Sequence, residues 1–235
     1  LGSHVRKLNN QWLIAPPTLD ISSEWFSPSY WQQQGKILGE SRGRNVTWFV
    51  GEKSHPMVLR HYYRGGLIGK LVNDSYFFSG LKSTRAYREY MLLKHLEQQD
   101  LPACRVVAAR VIASGLTYRA DLLMTMVDGG KDLVALLSKG RLTAQQWQSI
   151  GAMIATFHRH LVYHADLNAH NILLDGHGAP VLIDFDRGEV KPQQGPWCQS
   201  NLDRLLRSFN KEKNKLSQFH FDDADWQSLM QGYHQ

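Results

Sequence analysis

In the stretch His-Ala-Asp-Leu-Asn-Ala-His-Asn-Ile-Leu-Leu-Asp, residues 164–175, Asp166 and Asn171 stand five positions apart, and a second acid, Asp184, closes the apolar run Val181-Leu182-Ile183. Two carboxylates and a carboxamide in this order suit phosphoryl transfer from a nucleotide to an alcohol. That reaction needs a carboxylate to take the acceptor hydroxyl's proton, an amide oxygen to hold a magnesium ion, and a second carboxylate to bridge the metal to the phosphates. Asp166, Asn171 and Asp184 fit those roles in that order. Any one of them alone says little, because an Asp in a loop is ordinarily a turn former or a helix cap. The joint pattern says more: the loop leads through the turn Asp175-Gly176-His177-Gly178 into the strand that ends on Asp184.

The two blocks resemble the HxDxxxxN and DFG elements of kinases, and that resemblance organises the rest of the chain. It implies an α+β, bilobal protein-kinase-like fold in one catalytic domain: an N-terminal arm over residues 1–20, a β-rich N-lobe over 21–126 and a shortened helical C-lobe over 127–235, with ATP bound between the lobes. Pro16-Pro17 breaks the early chain, so the arm is expected to dock loosely. Ser23 to Gln34 reads as a short helix. The β-rich runs Val46–Val50 and Met57–Tyr63 read as a hairpin, with a basic glycine loop at Gly39, Gly43 and Arg44 ahead of it that would cover the nucleotide.

On the second of those strands Val58, Arg60 and Tyr62 share a face by the period-two rule. The pair Val58-x-Arg60 resembles the Ala-x-Lys of a kinase's third strand, with Arg60 placed to grip phosphates through its guanidinium fork. Ser83 to Gln99 reads as a helix whose stripe Ala86, Glu89, Leu93, Leu96 includes one acid. A carboxylate on an apolar stripe needs a partner, and Glu89 is assigned to Arg60, as the glutamate of a kinase C-helix pairs with its lysine. Two further strands, Val106–Ile112 and Leu122–Val127, lead to a hinge-like stretch, where adenine would bond main-chain groups near Thr125 and Val127. Helices over Asp132–Leu137 and Thr143–His160 deliver the chain to the catalytic loop, which His164 is expected to orient.

Composition narrows the class. Hydrophobic residues make up 43% and charged residues 20% of the 235, which suits a folded globular protein rather than a disordered one. No apolar run reaches the roughly 18–20 residues of a membrane span, and Cys104 and Cys198 show no metal or redox spacing, so free thiols are expected. The net charge is +6, and ten basic residues against three acidic ones lie between Lys36 and Arg88. Such a field attracts an anionic partner.

The departures from protein kinases bear on the acceptor. Ala165 replaces the arginine that often senses a phosphorylated activation loop, Asn168 stands where serine/threonine kinases keep a lysine, Asp186 replaces the DFG glycine, and no Ala-Pro-Glu element follows. A small-molecule or lipid-linked acceptor is therefore expected in place of a protein. The strings LRHYYRGGL (Leu59–Leu67), Gly69-Lys70, HADLNAHNILL (His164–Leu174), LIDFDRG (Leu182–Gly188) and NLDRLLRSF (Asn201–Phe209) resemble the lipopolysaccharide-core kinase family of Gram-negative bacteria from about Trp31 to Phe209. RHYYRGG is the most particular part of that resemblance. It implies ATP- and Mg2+-dependent phosphorylation of the 4-hydroxyl of 3-deoxy-D-manno-octulosonic acid (Kdo) on Kdo-lipid IVA, by a peripheral protein at the cytoplasmic face of the inner membrane.

Such an acceptor carries phosphates and a sugar carboxylate, so a basic rim of Arg64, Lys70, Arg85 and Arg88 is expected. Asn168 and Asp186 stand as catalytic-loop or acceptor-side candidates, the latter without a defined role. The stripe Leu202, Leu205, Leu206, Phe209 beside Arg204, Arg207, Lys211, Lys213 and Lys215 reads either as a surface-bound amphipathic helix on the anionic membrane or as a terminal helix docked on its own lobe, with Asp203 bracing the catalytic loop. An aminoglycoside- or choline-type phosphotransferase would need an acid-lined site for its cationic acceptor, against the basic surplus here. A kinase-like protein acting on nucleic acid would show interleaved stacking aromatics, so no nucleic-acid partner is expected. A non-catalytic scaffold has no use for Asp166, Asn171 and Asp184 together.

Overall fold

The computed structural model describes residues 4–42, 46–63 and 74–235. The chain divides into two compact units, Leu1–Lys94 with Arg105–Met126, and His95–Cys104 with Val127–Gln235. The expected α+β class is what the structure holds: one unit is built on a large antiparallel sheet and the other mainly on helices.

In the first unit the strands are β1 (His4–Leu8), β2 (Gln11–Ala15), β3 (Ile37–Arg42), β4 (Val46–Glu52), β5 (His55–His61), β6 (Tyr76–Phe77), β7 (Val106–Ser114) and β8 (Thr117–Thr125). They form an antiparallel sheet in the order β1-β2-β7-β8-β5-β4-β3, with β6 also on β8. Two expectations are corrected here. Residues read as a loosely docked arm form the β1–β2 hairpin, and β2 pairs with β7 from Gln11↔Ile112 to Ile14↔Ala109, burying Leu13, Ile14 and Ala15. Pro16-Pro17 ends that hairpin; it does not detach it. Gly39, expected in a loop, lies within β3, at a register irregularity opposite Phe49.

Alternation sorts the residues of β5 between the two faces of the sheet. Leu59 joins Leu13, Ile21, Phe26, Trp31, Val50, Ala108 and Leu123 in a buried cluster. That cluster is roofed by the 3-10 turn Ser23–Phe26 and by α1 (Pro28–Gln33), which together occupy the span expected as one helix. Arg60 and Tyr62 face the other way, toward Glu89 of α2 (Arg85–Gln98). The helix starts where Thr84 Oγ1 accepts from Tyr87 N at 3.4 Å, and its apolar stripe Ala86, Tyr90, Leu93, Leu96 is fully buried.

The second unit contains β9 (Lys131–Asp132), α3 (Leu133–Leu137), α4 (Ala144–Arg159), β10 (Val162–Tyr163), β11 (Ile172–Leu174), β12 (Pro180–Leu182), β13 (Glu189–Val190), α5 (Pro196–Lys215) and α6 (Asp223–Tyr233). A capping box between Thr143 and Gln146 opens α4. Trp147, Ile150, Ile154 and Phe157 recur on one face of that helix, and all four are buried. Burying such a side chain contributes ~1.5–3 kcal/mol. A second capping box, Asp222 with Asp225, opens α6. The two helices cross at glycine: a Cβ on Gly151 would stand 1.9 Å from Leu229 O, and one on Gly232 would stand 1.9 Å from Gln148 O. Beside this crossing, Trp147 packs edge-on to Phe209 of α5, and Phe209 stacks on Phe221. Leu202, Leu205 and Phe209 are therefore spent on the interior of their own unit, which decides for the docked-helix reading of α5 over the membrane-bound one.

Candidate active site

The second unit gathers the catalytic-loop residues around His164. This imidazole is 2% exposed, lies edge-on to Phe185 at 5.0 Å and is held neutral, because burial pulls its pKa down. Its two nitrogens have separate duties. Nδ1 accepts from Asp166 N at 3.2 Å, so Nε2 carries the hydrogen donated to Ile183 O at 3.0 Å. One ring thus ties the loop bearing Asp166 to the residue before Asp184. Asn171 makes the second tie: Ile183 N donates to Asn171 O at 2.9 Å. Asp184 itself takes a positive φ of 62°, an uncommon conformation for a residue with a side chain. Phe185, fully buried against Phe157 and His164, anchors the turn that follows.

The loop is braced internally as well. Asn168 Oδ1 accepts from His170 N at 2.9 Å and from Asn171 N at 3.2 Å, while its Nδ2 donates to Asp166 O at 3.1 Å. Of the two places expected for Asn168, in the catalytic loop or toward the acceptor, these bonds support the first: its carboxamide turns the loop, as Asx side chains commonly do. Leu167 and Ala169 are buried, whereas the Asp166 side chain is 51% exposed. The base candidate faces solvent from a backbone fixed on both sides.

A face of α5 that sequence reading overlooked supplies the outer support. Asn201, 2% exposed, donates through Nδ2 to His164 O at 2.9 Å and accepts His164 N at 3.4 Å. Ser208 Oγ accepts Ala169 N at 3.1 Å, and Arg204 NH1 donates to Asp166 Oδ1 at 3.1 Å. The spacing 201, 204, 208 places all three on one helical face, and that periodic polar set within an apolar stripe was the available signal. Asp203, expected as the brace, is exposed and takes a hydrogen bond from Gln199 Nε2 at 2.7 Å. Behind Asn201, His158 Nε2 lies 3.4 Å from Asn201 Oδ1, and its Nδ1 lies 2.8 Å from Tyr233 OH. Burial lowers the His158 pKa to about 4, so it too is neutral.

Asn171 and Asp184 are the expected magnesium ligands, and the local chemistry fits that cation. Asn171 Nδ2 donates to Asp166 O at 2.9 Å, which leaves the carboxamide oxygen as the group to offer a metal. An amide oxygen with a carboxylate is a hard, oxygen-only set that suits Mg2+, an ion that keeps waters and takes phosphate oxygens. Among the described residues no cluster of three or more His, Cys, Asp or Glu forms a metal cage. Asp186 is largely buried and lies 3.9 Å from Arg187 Nε.

In the first unit, Arg60 NH2 meets Glu89 Oε2 at 2.5 Å, and Tyr62 OH donates to the same oxygen at 2.6 Å. Burial first, then the neighbouring Glu89 charge, raises the Tyr62 pKa well above its ordinary value. Arg85 donates to Tyr76 OH at 2.6 Å and lies over the Tyr62 and Tyr76 rings. Arg88 Nε lies 3.4 Å from Lys82 O, at the surface. Of the hinge-like groups, Thr125 N already donates to Arg105 O at 2.8 Å, so that amide is not open to adenine; Val127 O accepts Gly130 N at 3.1 Å. Gly43, Arg44, Arg64 and Lys70 lie outside the described residues.

Comparison with known proteins agrees with this chemistry. Residues 28–233 match the family described as "Lipopolysaccharide kinase (Kdo/WaaP) family". The chain is 45% identical over 226 residues, 96% of its own length and 92% of the relative's, to a protein of Vibrio vulnificus named 3-deoxy-D-manno-octulosonic acid kinase. Proteins of the same name from Photobacterium profundum and Haemophilus influenzae are 47% and 39% identical, covering 88% and 93% of this chain and 87% and 93% of theirs.

Proposed function

The chain belongs to the lipopolysaccharide kinase (Kdo/WaaP) family, and from that premise we propose that it transfers the γ-phosphoryl group of ATP to the 4-hydroxyl of a Kdo residue on Kdo-lipid IVA. One observation supports this above the others. In a chain so similar to proteins named for this acid, Asp166 stands solvent-facing on a rigidly braced loop beside Asn171 and Asp184.

Asp166 would take the proton as the sugar oxygen forms its bond to the γ-phosphorus; the bond from that phosphorus to the β,γ-bridging oxygen breaks, and ADP leaves with the electron pair. His164 keeps Asp166 in place and, being neutral, adds no charge that would weaken the base. Asn171 and Asp184 would hold Mg2+, which when bound neutralises charge on the nucleotide phosphates. Arg60, oriented by Glu89 and Tyr62, is assigned to the phosphates. Val127 is assigned to the adenine through its main chain. Arg85 and Arg88, with Arg64 and Lys70, are assigned to the anionic acceptor and the acidic membrane surface that presents it. Among the described residues no helix is long and apolar enough to cross a membrane, and the proposal places the protein on the cytoplasmic face of the inner membrane through its acceptor and these cations.

The test is transfer from labelled ATP with magnesium to Kdo-lipid IVA, to lipid IVA lacking Kdo, to an aminoglycoside and to a generic protein. Transfer to the Kdo-bearing lipid alone, abolished in Asp166→Ala, is expected. Folded, ATP-binding protein that leaves Kdo-lipid IVA unlabelled would refute the proposal.

A further inference from the structure

The cation that a protein kinase places two residues after its catalytic Asp is absent from this loop, where Asn168 spends both ends of its carboxamide on turning the backbone. A cation reaches Asp166 from elsewhere: Arg204 NH1 lies 3.1 Å from Asp166 Oδ1. Its mounting is firm. Arg204 is one turn from Asn201, which holds His164, and one turn from Ser208, which holds Ala169, so this face of α5 is fixed to the loop at two points around the arginine. Yet the guanidinium is 47% exposed and Asp166 is 51% exposed. A solvent-facing pair of this kind is weak and can exchange partners with little loss.

The contact as it stands occupies Oδ1 of the residue that would take the acceptor's proton. The proposed acceptor, however, is an octulosonic acid, and its carboxylate is a better partner for a planar, multiply donating guanidinium than one carboxylate oxygen at a single contact. We propose that Arg204 is a specificity-determining residue that binds the carboxylate of the acceptor sugar, giving up Asp166 as it does so. The acid would thus release the base that acts on its own hydroxyl, and a neutral sugar would leave that base engaged. This inference rests on the Kdo reading and deepens it.

The experiment compares wild type with Arg204→Gln and Arg204→Lys on two acceptors, Kdo-lipid IVA and the same lipid with its Kdo carboxyl methylated. The readout is the ratio of kcat/KM between them. Wild type should prefer the free acid about 10- to 100-fold, the worth of a charge-assisted hydrogen bond. Arg204→Gln should reduce that ratio to near unity, chiefly by slowing the acid, and Arg204→Lys should restore part of it. ATP KM and thermal midpoint should stay at wild-type values, since the side chain is exposed and holds no buried group. An undiminished ratio in Arg204→Gln overturns the inference while leaving the Kdo reading intact. So does an equal fall on both acceptors with a raised ATP KM, which would move Arg204 to the nucleotide. Failure of wild type to phosphorylate either lipid while still binding ATP overturns both.

Discussion

Losing Arg60 and Glu89 together should cost well short of the sum of the two single losses. Glu89 is 1% exposed and its Oε2 is shared by Arg60 NH2 at 2.5 Å and Tyr62 OH at 2.6 Å; Arg60 is 18% exposed. Arg60→Met leaves a charged carboxylate buried with the phenol as its remaining described donor to Oε2, at a cost of about 3–5 kcal/mol. Glu89→Gln keeps the shape and an accepting oxygen but weakens a charge-assisted bond, at about 1.5–3 kcal/mol. In the double variant the buried carboxylate is gone with its partner, so the total should fall short of the sum by about 2–3 kcal/mol, the upper range for residues in direct contact. Domains of this kind have unfolding free energies on the order of 5–15 kcal/mol, so Arg60→Met alone should be plainly visible. Urea denaturation of the four proteins, extrapolated to water, measures the cycle. Additivity within about 0.5 kcal/mol would refute the reasoning that the buried carboxylate depends on this arginine.

Three further outcomes are expected. Asp166→Asn should lower kcat by about 10²- to 10⁴-fold with ATP affinity retained, read by steady-state kinetics and nucleotide titration; an unchanged kcat would remove Asp166 as the base. Gly151→Ala should destabilise the second unit by about 3 kcal/mol or more, because its Cβ meets the main-chain oxygen of Leu229 at 1.9 Å, and thermal denaturation near wild type would show that the helices part easily. His158 is held neutral in the fold, its pKa lowered by burial from 6.5 to about 4. The unfolded chain therefore binds the extra proton between those values, and the stability present above 6.5 should decline as pH falls toward 4, by about 3 kcal/mol in all. His158→Gln should flatten that part of the stability–pH profile, and an unchanged slope would contradict the assignment.

What could be read from the chain follows the range of the interactions involved. Period-two and period-3.6 patterns exposed β5, α2 and α4, because burial on one face leaves a local signature at 58/60/62 and at 147/150/154/157. The meeting of Arg60 with Glu89 was also legible, since a lone acid on an apolar stripe demands a cation. Spacing likewise brought Asp166, Asn171 and Asp184 to notice, as the chemistry of a loop and a following strand is written in contiguous residues. The β1–β2 hairpin was hidden: Pro16-Pro17 looks like the edge of a loose arm, and the partner strand β7 begins some ninety residues onward, at Val106. Gly39 misled because a glycine tolerated in a strand beside Phe49 looks the same as one required by a loop. Asp203 and Asn201 differ by two positions on α5, enough to turn one to solvent and the other to His164, and residue type alone does not separate two polar residues; only the 201/204/208 spacing does.

The catalytic loop is gripped largely by its main chain: Asn201 holds both main-chain groups of His164, Ser208 holds the amide of Ala169, and Ile183 N holds the carbonyl of Asn171. An anchorage that does not depend on outward side chains separates what must be kept from what can drift. Arg204, which meets the outward carboxylate of Asp166 and holds none of these main-chain groups, is then open to substitution without disturbing the frame. Libraries randomised at 204 should yield folded variants far more often than libraries randomised at 201 and 208, where substitution removes the bonds that hold the frame itself.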